Sequence, residues 1–156
     1  MRCILHIGTE KTGSTTFQRW LSRNEECLRV RGIHYCRATG RPDARRFSLL
    51  VDHRHHRPAF RQAGIYDRDQ LFILRDTLRR ELSKEVESAA SLGAHTALIS
   101  SEHLHSGSLV ESGIGRGVSL LQEIFDEVRV VCFFRPQVEV WISLLSTMAR
   151  TAQRVD

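Results

Sequence analysis

Apolar and polar positions fall in blocks whose period changes along the chain. Arg2 to Ile7 is a short β-rich run that stops at Gly8, which predicts a buried strand. The polar loop Gly8-Thr9-Glu10-Lys11-Thr12-Gly13 follows. From Ser14, the spacing of Phe17, Trp20, Leu21 and Leu28 predicts a helix that Gly32 ends. Ile33 to Cys36 reads as a short second strand. Residues 37–66 are broken by Gly40, Pro42, Pro58 and Gly64 and read as loop or irregular helix. Leu71, Leu74, Leu78, Leu82 and Val86 then line one face of a long helix from Asp69 to about Ala90. His95 to Ser100 predicts a strand, Val118 to Glu127 a helix, and Val128 to Phe134 the most hydrophobic strand of the chain. A last helix runs from Pro136 to Arg150, since proline suits a first helical turn. Strands and helices alternating in this way predict an α/β fold, a doubly wound parallel sheet with flanking helices, in one domain over 1–156.

The last helix complicates that picture. Val138, Val140, Trp141, Ile142, Leu144, Leu145 and Met148 leave it apolar almost all round, so it should be buried on most sides. The sequence stops six residues after Arg150, with nothing left to cover the helix. The expectation is a domain incomplete at its C-terminus, self-associating through helix 137–149 or only marginally stable.

Composition places the chain in the ordinary globular class, with 41% hydrophobic and 26% charged residues. No apolar run approaches the roughly 20 residues of a membrane span. The apolar stretch at the N-terminus is too short for a secretory signal, so the expected location is cytoplasmic. The four cysteines, Cys3, Cys27, Cys36 and Cys132, then read as reduced, mostly buried thiols. A net charge of +5 suggests an anionic partner. Lys11 and Lys84 are the only lysines, so a lysine inside a glycine-bounded loop stands out.

Gly8-x-x-x-x-Gly13 followed by Ser14-Thr15 has the glycine spacing of a phosphate-binding loop. Glycines let successive N–H groups turn inward around an anion, and the following helix adds its positive end. The nucleoside-triphosphate version places lysine directly after the second glycine, where this chain has Ser14. Its Walker-B aspartate is missing too, because the two candidate strands end in Glu102 and Arg135. A magnesium-dependent ATPase or GTPase would thus lack both its lysine and its usual metal ligand.

The segment from Leu5 to Thr16 resembles the 5′-phosphosulfate loop of the sulfotransferase family, close to its bacterial form. The resemblance implies a P-loop-like fold and 3′-phosphoadenosine 5′-phosphosulfate as sulfonate donor, with no metal required. It implies that Lys11 contacts the bridging oxygen. Contacts to the 5′-phosphate would fall to Thr12, Gly13, Ser14, Thr15 and Thr16. Ser14 stands where threonine is common and keeps the hydroxyl. A second segment, Val130-Val131-Cys132-Phe133-Phe134-Arg135-Pro136 with Ser143 eight residues after Arg135, resembles the family's 3′-phosphate site. Arginine grips phosphate through paired N–H donors and serine adds another.

Sulfonate transfer to a hydroxyl or amine also needs a base. Ser100-Ser101-Glu102-His103 follows a predicted parallel strand, where open α/β sheets place their ligands, and resembles the Ser-Ser-Glu segment of bacterial relatives. Glu102, His103 and His105 are all eligible, and Glu102 is favoured. His6 reads as structural. The His53, His55, His56 cluster reads as a solvated basic loop rather than a metal site, since no carboxylate or cysteine pattern completes it. Its few aromatics are not interleaved for base stacking, which argues against nucleic acid. The leading expectation is a sulfotransferase-like enzyme whose acceptor the sequence does not name. The alternatives are a non-catalytic remnant binding an anionic nucleotide or a partner protein, and third a P-loop nucleotide kinase.

Overall fold

The computed structural model describes residues 1–8, 11–52, 58–107 and 111–150. Four strands, β1 (Arg2–Gly8), β2 (Ile33–Tyr35), β3 (Thr96–Ser101) and β4 (Glu127–Phe133), form one all-parallel sheet in the order β2-β3-β1-β4. The register pairs His6 of β1 with Ser100 of β3 on one side and with Val131 of β4 on the other. The flanking helices are α1 (Ser14–Arg23), α2 (Glu25–Val30), α3 (Arg45–Val51), α4 (Pro58–Gln62), α5 (Arg68–Ser91), α6 (His103–Gly107), α7 (Glu111–Gln122) and α8 (Gln137–Arg150).

Alternation along β1 and β3 sends side chains to two different cores. Cys3, Leu5, Ala97 and Ile99 join Phe47 and Leu50 of α3, Leu78 and Leu82 of α5, and Leu120 and Leu121 of α7. On the opposite face, Leu98 and Tyr35 pack against Leu21 of α1 and Leu28 of α2. Helices therefore cover both faces. The α5 stripe works as its periodicity predicts, and Asp67 caps the helix by accepting from the Gln70 N–H at 2.8 Å.

Several expectations need correction. The helix expected from Ser14 to Gly32 is two, because the chain leaves helical geometry at Asn24, whose side-chain amide donates to the Trp20 carbonyl at 2.7 Å. The stretch 37–66 holds α3 and α4, and α3 contributes Phe47, Leu49, Leu50 and Val51 to the core. Helix α7 ends at Gln122, short of the expected Glu127, which instead begins β4. Of the four thiols, Cys3 and Cys36 are buried, while Cys27 is exposed and Cys132 half-buried. Burial pushes the Cys3 thiol up to about 12 and Cys36 well above its usual value, so neither is poised as a nucleophile.

One sheet edge stays open. Among the described residues, strand β4 pairs with β1 alone and leaves Val130 58% exposed. Helix α8 buries no side chain: Trp141 is 65% and Ile142 62% exposed. Apolar composition buries a helix only where another element meets its faces, and among the described residues none encloses α8. Among the described residues, no helix is long and apolar enough to cross a membrane.

Candidate functional site

The ends of β1, β3 and β4 lie side by side, and each is followed by polar residues. After β1 the chain must fold back onto the start of α1. A Cβ on Gly8 would overlap Ser14 Oγ, so only glycine allows that approach. Gly13, at φ +86°, precedes α1 and has open space where a side chain would point. The N-cap of α1 is Gly13, which offers no side chain to the first N–H groups, the groups that an anion can take at a helix start. Between these glycines Lys11 is itself left-handed, at φ +63°. This is a conformation that costs a non-glycine residue energy. Thr9 and Glu10 lie outside the described residues.

Beyond β3 come Glu102 and His103, the latter opening α6. Beyond β4 comes Arg135, and Ser143 projects from α8. These segments enclose a cleft of about 480 Å³. Its walls carry Lys11, Gly13, Ser14 and Thr15 from the first segment, Glu102 and His103 from the second, and Arg135 and Ser143 from the third. The volume falls in the usual range for a small-molecule site, and the polar lining suits a charged ligand.

Polar contacts tie the walls together. Lys11 Nζ donates to Thr147 Oγ1 at 2.9 Å, and Arg135 Nη1 donates to the Lys11 carbonyl at 3.1 Å. Arg135 Nε also meets Glu139 Oε2 at 2.7 Å, which offsets part of its charge. His103 and Asp43 are joined at 2.8 Å between Nε2 and Oδ2. That hydrogen bond holds the Asp43 carboxyl below its ordinary value against the opposing effect of burial.

Not every expected residue reaches the cleft wall. Thr12 does not line it, and its Oγ1 lies 3.3 Å from Ser14 Oγ. Thr16 is exposed on α1 and His105 exposed on α6, and neither lines the cleft. His6 is buried, as expected of a structural residue: Nδ1 lies 2.8 Å from Ser100 Oγ, and its ring packs against Phe17 and Phe133. Burial lowers its pKa and favours the neutral ring. The cluster His53, His55, His56 lies outside the described residues. Among the described residues, no group of three or more His, Cys, Asp or Glu is placed to hold a metal ion.

Three residues of the site escaped the sequence reading: Asp43, Thr147 and Glu139. Glu139 follows Arg135 by four positions, a spacing that pairs charges on a helix and was readable in principle. Asp43 and Thr147 meet their partners only through the fold. Comparison of the chain with protein-family models, with curated proteins and with solved structures gives no match.

Proposed function

We propose that the chain is a sulfotransferase-like protein with a P-loop-like fold, transferring a sulfonate group from 3′-phosphoadenosine 5′-phosphosulfate to a hydroxyl or amine acceptor. One observation carries this reading. Three sequence segments far apart in the chain, each with residues suited to an anionic donor or its acceptor, meet in one cleft at the ends of adjacent parallel strands. Open α/β sheets bind ligands at such strand ends.

The residues divide the work by charge and position. The N–H groups at the start of α1, with the hydroxyls of Ser14 and Thr15, would receive the 5′-phosphate. Lys11 would stabilise negative charge growing on the bridging oxygen as the sulfur–oxygen bond breaks. Arg135 and Ser143 would grip the 3′-phosphate. Glu102 and His103, also on the cleft wall, would supply the base that takes the acceptor's proton. A sulfonate carries less charge than a phosphoryl group, so these donors suffice without a divalent metal.

The test is transfer of labelled sulfonate from that donor to a panel of phenols, alcohols and amines, alongside calorimetry with 3′-phosphoadenosine 5′-phosphate. Failure of the nucleotide to bind at millimolar concentration overturns the reading. The exposed apolar surface of α8 favours a second reading, a protein that binds nucleotide or a partner without catalysis. Tight nucleotide binding with no transfer to any acceptor would select it.

A further inference from the structure

The loop between β2 and α3 is clamped from several directions. Tyr35 Oη donates to the Pro42 carbonyl at 2.6 Å, and Arg41 donates to the Tyr35 carbonyl at 3.0 Å with its guanidinium 4.2 Å from the Tyr35 ring centre. Arg41 also pairs with Glu25 of α2. Glu85 of α5 accepts from the Arg37 and Ala38 N–H groups at 2.7 and 2.8 Å, and the Phe47 N–H reaches back to the Thr39 carbonyl at 3.2 Å. A loop of this kind presents its side chains from a fixed place. Among them is Asp43, whose carboxylate meets His103 of the cleft wall across 60 positions of sequence.

We propose that Asp43 is a positioning residue of the site. Its carboxylate holds the His103 ring through Nε2, in the orientation and tautomer that make Nδ1 the basic nitrogen. A carboxylate can only accept, so the shared proton resides on Nε2 of the neutral ring. The same carboxylate, 20% exposed, faces the positive charge that His103 gains on protonation. The assignment rests on the sulfonate-transfer reading for the source of the proton, whereas the pairing does not. In that reaction the acceptor oxygen attacks sulfur while its proton passes to His103 Nδ1. The bond between sulfur and the bridging oxygen breaks, and that oxygen leaves with the electron pair on 3′-phosphoadenosine 5′-phosphate. His103 rather than Glu102 is then the base, because the fold builds an orienting partner for it.

Two measurements test this on the full chain. Histidine side-chain ¹⁵N spectra of the ligand-free protein, at a pH where the ring is neutral, should show His103 as the Nε2–H tautomer. A free neutral imidazole already favours that tautomer, so the mark of the pairing is the Nε2 proton itself, shifted downfield and slow to exchange with solvent. Asp43→Ala should abolish that signal and Asp43→Glu restore part of it. Steady-state transfer to a simple phenol should show kcat reduced by roughly tenfold to a hundredfold in Asp43→Ala, with the KM for donor within about twofold, as befits loss of part of a general-base contribution. Arg45, another charged neighbour of Asp43 at 3.5 Å, controls for general loosening of the loop, so Arg45→Ala should leave the proton signal and kcat unchanged. A His103 Nε2 proton indifferent to Asp43 overturns the proposal, as does a normal kcat in Asp43→Ala. If the proton signal depends on Asp43 but the wild-type chain transfers to no acceptor, the sulfonate-transfer reading fails and takes the proton-accepting role with it.

Discussion

The ammonium group of Lys11 is hydrogen-bonded to the hydroxyl of Thr147 at 2.9 Å, joining the loop after β1 to the helix after β4 across 136 positions of sequence. The Lys11 carbonyl accepts from Arg135 in the same region, so one residue holds both the strand end and the helix on that side of the cleft. The lysine is therefore placed by two contacts before any ligand arrives. Replacing it should remove transition-state stabilisation more than binding. Lys11→Ala is expected to lower kcat by about a hundredfold or more while changing donor affinity far less. Pre-steady-state transfer and nucleotide calorimetry on the same variant check this. Near-normal turnover with weakened affinity would make Lys11 a binding residue only.

Arg135 sets the choice of nucleotide. With Arg135 on the cleft wall, 3′-phosphoadenosine 5′-phosphate should bind at least about tenfold tighter than adenosine 5′-phosphate, the scale of a charge-assisted hydrogen bond. Arg135→Ala should erase the difference. Equal affinities for the wild-type chain would take the 3′-phosphate away from this residue, and binding of ATP that requires magnesium would favour a kinase.

Helix α8 carries the third prediction. Fully burying an apolar side chain is worth roughly 1.5–3 kcal/mol, and Val138, Trp141, Ile142 and Leu145 remain about half or more exposed to water. The 156-residue chain should self-associate through this surface, with Trp141 as the anchor. Light scattering across a concentration series should show the association, and Trp141→Ser should weaken it. A monomer at all concentrations would contradict the prediction.

Acid should destabilise the fold through two carboxylates. Asp43 is held below its ordinary 3.8 by the hydrogen bond from His103. Burial raises Glu85, yet the contacts from His34 and from the Ala38 and Arg37 N–H groups outweigh it and leave it below 4.5. Both folded values are depressed, so the unfolded chain binds more protons and stability falls with falling pH. The contribution is complete above the ordinary values and is lost as pH drops through the lowered ones. Buried His6, held below its ordinary 6.5, adds a first decline as pH falls below about 6.5. Urea unfolding should show that shoulder and a steeper decline below about 4.5, the latter shallower in Glu85→Gln.

What the sequence disclosed follows the physics of each signal. The strand–glycine–helix order at Gly8 to Ser14, the α5 stripe and the place of Arg135 depend on local spacing, and the structure has all three. The stretch 37–66 concealed α3 because seven residues are too few to display a helical period amid Arg45, Arg46 and the flanking breakers. Exposure at α8 was legible as well, since a helix apolar almost all round cannot set every face against one sheet. Asp43 had no signal at all. An aspartate after Arg41-Pro42 reads as a turn, and only the packing of that turn against α6 gives it a partner.

The sheet order has a consequence for the order of events in synthesis. Strand β1 occupies an interior position, yet its first hydrogen-bonded neighbour, β3, is encoded 94 residues later: Arg2 pairs with Thr96. At translation rates of about 5–20 residues per second, β1 waits roughly 5–20 s for any strand to pair with, and longer for β4. During that interval Cys3, Ile4, Leu5 and Ile7 form an unpaired apolar segment of the nascent chain. Lys11 is thus translated long before the strand and helix that set it in place. A nascent chain of this topology is one for which a holdase acting on its β1 segment would matter most.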